Sequence, residues 1–176
     1  MTPSLTLTAT FTTLRTFLLA ILPAQTEVVQ GQANRVPMPQ SGNFVVMTPM
    51  RLQQMAQTVH DWTEPTAPAP APGSDEISRS TALHFQLDVY GPASAENATV
   101  ITTLMRDSYG YEALKPSGIA PLYAEDPFQM PLVAGEQQWI QRWTIRAALH
   151  GNIAVTVPVE FADTLITELL EVTHGS

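Results

Sequence analysis

Cysteine is absent from all 176 residues, so the chain offers no disulfide framework, no thiolate metal site and no cysteine nucleophile. This fits a reducing compartment, or a protein that leaves the cell without bridges. Positive charge is scarce as well. Eight Lys and Arg stand against sixteen Asp and Glu, giving a formal net charge of −8, and the eight make no patch, which argues against gripping nucleic acid as the main function. The four histidines, His60, His84, His150 and His174, show no HxH, HxxxH or HExxH spacing, and there is no Walker loop, GxSxG or GxGxxG. A metal site would have to be assembled by tertiary contact alone. Asp61, Asp88, Glu125 and Asp126 are the carboxylates an acid–base pair would draw on, but in an acidic chain such groups are ordinarily solvated. The reading is a non-enzyme with no cofactor and no metal. The most apolar run, FLLAILP at Phe17–Pro23, is too short to cross a bilayer as a helix.

What is present begins with an amphipathic pattern. Phe11, Leu14, Phe17, Leu18, Ile21 and Leu22 recur at helical spacing, so a core helix is expected from Thr8 to Leu22, stopped by Pro23. The same segment resembles the apolar region of a signal peptide, but no Lys or Arg precedes it within the first 14 residues and no small-x-small cleavage site follows. Glu27–Gln30 reads as a short strand, Gly31–Gly42 as a loop, and Asn43–Thr48 as a buried strand ended by Pro49. Arg51–Trp62 is open between a helical stripe and a strand. Thr63–Glu76, with four prolines and a glycine, is expected to protrude as a solvated, polyproline-like loop from a single domain spanning 1–176. Leu83–Tyr90 alternates as a strand. Gly91-Pro92 breaks it, and Ala95 to Tyr109 follows at helical spacing, ending by Gly110. Pro121–Tyr123 is a short strand, Glu125–Gly135 a turn-rich loop, and Leu165–Val172 either a helix or, with a slight preference, a last strand.

The chain is organised around Trp139–Phe161. Trp139, Trp143, Ile145, Ala147 and Leu149 alternate with Arg142, Thr144, Arg146 and His150, which is the period of a half-buried strand. The turn-forming His150-Gly151-Asn152 then predicts a hairpin into Ile153–Phe161. Parity demands an odd loop or one bulge: with Gly151–Ile153 as three loop residues, Leu149 faces Val155, Ala147 faces Val157 and Ile145 faces Val159. Pro158 places the second strand at an edge or a bulge. The order of elements predicts an α+β fold, a mainly antiparallel sheet with two helices packed on one face.

Three stretches, Val28–Leu52 (VVQGQANRVPMPQSGNFVVMTPMRL), Leu87–Leu114 (LDVYGPASAENATVITTLMRDSYGYEAL) and Pro121–Phe161, together resemble the neck or tail-terminator proteins of tailed bacteriophages. The carrying residues are the Gln30, Asn34, Pro37 and Pro39 loop, Met47-Thr48-Pro49, the Asp88-Tyr90-Gly91 exit, the Asp126-Pro127 turn, Arg142 and the Pro158–Phe161 ending. Thr63–Glu76 departs from that pattern, as does the helical stripe of Arg51–Trp62, where the family is β. The resemblance implies a structural virion protein, made in the host cytoplasm and located in the neck. It implies a homo-hexameric ring on the tail tube that ends tail polymerisation and meets the head–tail connector, with genomic DNA passing through the lumen without specific binding and with no membrane contact. Assembly contacts are expected in Gln32–Gly42, Thr63–Glu76 and Glu125–Gly135, with Arg35, Met38, Pro39, Phe128 and Met130 as candidates, and at Arg142 and Arg146 on the wet side of the central strand. A head–tail adaptor or minor tail protein of similar fold, and a secreted binding protein with a cleaved leader, are the alternatives.

Overall fold

The computed structural model describes residues 1–32, 42–65, 72–130, 132–134 and 138–160. The first helix, α1, runs Leu7–Ile21, with Thr6 Oγ1 accepting from the Ala9 amide at its start. Threonine is a poor helix former, yet Thr10, Thr12 and Thr16 each donate their hydroxyl to the carbonyl four residues back, which satisfies the side chains inside the helix. Then come β1 (Glu27–Gln30), β2 (Phe44–Gln54), β3 (Val59–Thr63) and β4 (Gly73–Tyr90). Arg51–Trp62 is therefore β at both ends, with Arg51 to Gln54 closing β2 and β3 following. Pro49 does not end β2: the register shifts between Pro49 and Arg51, so the proline sits at a bulge, where its missing amide is tolerated.

Helix α2 (Ser94–Met105) and helix α3 (Ser108–Leu114) replace the one expected helix. Asp107 accepts from the Tyr109 amide and so begins a new helix where one was expected to be ending. Gly110 is inside α3, where a Cβ would lie 2.5 Å from the Leu104 carbonyl oxygen. It permits a close crossing of two helices and caps nothing. Gly91, at φ 107°, has no room for any side chain, since a Cβ there would lie 1.9 Å from the Gly42 carbonyl oxygen. The remaining strands are β5 (Ile119–Ala124), β6 (Phe128–Gln129), β7 (Leu132–Ala134), β8 (Gln138–Ile140) and β9 (Arg142–Val159).

The expected hairpin at Gly151 does not form. β9 is one strand of 18 residues, paired antiparallel with the 18 residues of β4 from Gly73↔Val159 to Tyr90↔Arg142 without a register shift. Leu149 thus faces Leu83, not Val155. An uninterrupted strand keeps Ile145, Ala147, Leu149, Ile153 and Val155 on one side just as an odd loop would, so parity could not separate the two. Gly151 is explained by closeness, since a Cβ there would lie 2.6 Å from Leu5 Cδ2. Trp139 belongs to β8 and is 71% exposed. Gly73 to Glu76, expected in a loop, begin β4. Leu165–Val172 lies outside the described residues.

The large sheet has the order β1-β2-β4-β9-β5, with β3 beside the first half of β4 and β6 beside the first residues of β9. Among its described pairs only β1 with β2 is parallel. This is the α+β, mostly antiparallel architecture expected, with three helices in place of two. Phe11 and Leu14 of α1 and Ile101 of α2 bury against Leu83, Phe85, Leu87, Ile145, Ala147 and Leu149, and the Phe11 ring meets Phe85 edge-on at 5.4 Å. The other face of the sheet carries the alternate residues, and no helix among the described residues packs on it.

Candidate assembly surface

Three features matter here: the sheet face away from the described helices, a groove on that face beside Arg146, and an arm beyond the helices. On the helix-free face the cross-strand rows are Phe44, Tyr90 and Arg142, then Val46, Asp88 and Thr144, then Thr48, Gln86 and Arg146, then Arg51, His84 and Ala148. Asp88 is buried, as are Phe44, Tyr90, Thr144 and Ala148 in these rows. Its Oδ1 accepts from Arg142 Nε at 3.0 Å, Arg142 Nη2 at 2.8 Å, Thr144 Oγ1 at 2.6 Å and Gln86 Nε2 at 3.1 Å. The Arg142 guanidinium also lies 5.8 Å from the centre of the Tyr90 ring, which stacks on Phe44. Burial pushes the Tyr90 phenol above its usual range, Arg142 opposing and Asp88 adding to the shift.

Arg142, expected to reach a neighbouring molecule's carboxylate, pairs with Asp88 of its own chain. Arg146 is different. It is 61% exposed at the side chain, lies over the Phe128 ring at 5.7 Å, and approaches Glu125 only to 3.9 Å. Phe128 is half-buried in β6 and Met130 is exposed, its amide donating to the Arg142 carbonyl. Arg35, Met38 and Pro39 lie outside the described residues.

Beside Arg146 the face dips into a groove of about 280 Å³ lined by Met50, Arg51, His84, Tyr123, Glu125 and Arg146. The Tyr123 hydroxyl sits 3.2 Å from His84 Nδ1, and Gln53 Oε1 sits 3.2 Å from His84 Nε2. Partial burial, and secondarily the Arg51 charge, hold the His84 imidazole below its usual pKa. Among the described residues no group of three His, Cys, Asp or Glu is placed to hold a metal.

The arm consists of β3, the first part of β4 and the end of β9. All of β3 is exposed, with Val59 at 63% and Trp62 at 57%. Asp75 is its buried polar residue: His60 Nδ1 meets Oδ2 at 2.7 Å, while Oδ1 has no partner among the described residues. On the far side Ser4 fastens the N-terminal segment to β9, its amide donating to the Ala154 carbonyl and its Oγ accepting from the Ala154 amide.

The described residues thus present an exposed arm and, on the sheet face, an exposed patch around Arg51 and Arg146. The family model for phage neck terminator proteins matches residues 8–172. The chain belongs to that family. It is a structural component of the virion, and the family match runs through the helices, the sheet and the arm alike. No curated protein matches the chain. No helix among the described residues is long and apolar enough to cross a membrane. Sequence reasoning missed Arg51, His84 and Tyr123 as neighbours, because they come from three strands whose register was not legible. The one signal available was the polar alternation of His84, Gln86 and Asp88.

Proposed function

We propose that this neck terminator acts as a closed ring of six copies, seated on the head-proximal end of the tail tube. There it stops addition of tube subunits and presents a face to the head–tail connector. The family match over 8–172 carries this reading. It is supported by two unlike surfaces on one chain, an exposed arm and the exposed Arg51 and Arg146 of a sheet face, as a heterologous, closing interface requires. Residues 1–176 act as one domain in this reading. Arg35, Met38, Pro39, Phe128, Met130 and Arg146 are its contact candidates, and Arg142 contributes by fixing the sheet face. Genomic DNA passes through the lumen without specific binding, in keeping with a chain at −8.

Light scattering over a concentration series, repeated with tail tube protein added, tests the ring. A mass of about six subunits is expected. A strict monomer in both conditions would sink it. Phage lacking the protein should accumulate tails of uncontrolled length that do not join heads. Tails of normal length would instead point to a head–tail adaptor.

A further inference from the structure

Charge is unevenly distributed over the described residues. The arm carries Asp61, Glu64, Asp75, Glu76 and Glu160 against Arg79. Asp61 and Glu76 are direct cross-strand partners, both exposed, and among the described residues neither has an ion pair. Like charges facing each other across a strand pair cost stability. Val59 shares their side of β3 and is exposed.

The helix-free face is the converse. Arg51 is exposed with no ion pair among the described residues, and Arg146 has only its distant contact with Glu125. Both line the groove that also exposes Met50 and Tyr123. Glu76 and His84 lie on the same strand, eight residues and so roughly 26 Å apart. Because the β4/β9 ladder between them has no register shift, the arm cannot fold back onto its own groove. Complementary charge is available from another copy of the same chain, whose arm carries it.

We propose that the arm of one copy lies across the helix-free sheet face of the next. In that contact Asp61 and Glu76 meet Arg51 and Arg146, and Val59 covers Met50 and Tyr123. This rests on the ring reading and names the surfaces that close the ring. The contact is head-to-tail, so every copy uses its arm once and its groove once.

The test is charge reversal on each side, with masses measured by native mass spectrometry with and without tail tube protein. The double variants Asp61→Arg/Glu76→Arg and Arg51→Glu/Arg146→Glu should each raise the half-assembly concentration at least about tenfold. An equimolar mixture of the two should assemble again, because reversed arms fit reversed faces and native arms fit native faces. Its rings should alternate strictly. Recovery in the mixture also shows that both variants fold. Wild-type rings with one-sided variants that still assemble would overturn the pairing and leave the ring intact. Loss of assembly with no recovery in the mixture would overturn it too. A wild-type protein that stays monomeric in both conditions would overturn the ring and this contact together.

Discussion

Asp88 gathers an arginine, a threonine and a glutamine onto one buried carboxylate, and each donor reaches it from a fixed place in the β4/β9 register. Removing one member of a buried charged pair costs far more than removing both. Asp88→Ala should therefore lose about 3 kcal/mol of unfolding free energy, while Asp88→Leu with Arg142→Leu should lose distinctly less. Urea midpoints of the three proteins decide it. The alternation Arg142, Thr144, Arg146 was legible as a wet strand face, but which of the arginines was free was not, since Asp88 lies far away in the chain and only register brings it opposite. His84 gives a pH dependence. Its folded pKa is below the unfolded value of 6.5, so the unfolded chain binds the proton more readily. The contribution is full above that value and is lost as pH falls below it. His84→Gln should flatten the acid side of a stability profile taken between pH 8 and pH 5, and an unchanged profile would remove His84 as a cause.

Elements were legible where one face was apolar and the length ordinary. The periodicity of α1, the four residues of β1 and the alternation at Leu83–Tyr90 all appear where expected. Glycine and proline misled, because their turn-forming meaning was assumed at Gly151, Gly110 and Pro49. In the structure they mark two close approaches and one bulge. The two glycines give expectations of different size for an added methyl group. Gly110→Ala drives a Cβ into backbone at Leu104 and should cost about 1–3 kcal/mol. Gly151→Ala meets the movable end of Leu5 and should cost less, while loosening the Ser4 contact with Ala154. Thermal melting ranks the pair, and faster exchange of the Ala154 amide reports the second effect. Leu14, fully buried in α1, should cost about 2–5 kcal/mol on change to Ala.

At the scale of the whole molecule, the body and the arm differ in what holds them. The body has one apolar cluster between helices and sheet, whereas β3 is exposed throughout. Val59→Ser with Trp62→Ser should leave the monomer's stability within about 0.5 kcal/mol, as surface changes do, yet weaken assembly measured by mass. A drop in stability equal to that of a core change would mean that the arm is part of the folding unit. The α+β class and the family resemblance were legible because they depend on patterns summed over long stretches. The arm was not, since its length comes from continuity of β4 and β9 through residues that read as loop. That continuity has a mechanical side. The hydrogen bonds of an antiparallel ladder lie across the strand direction, so a pull along β4 against β9 loads every rung at once, in shear. A subunit gripped by its arm and by its body would pass tension along eighteen paired positions, behaving as a tie rod between whatever holds its two ends.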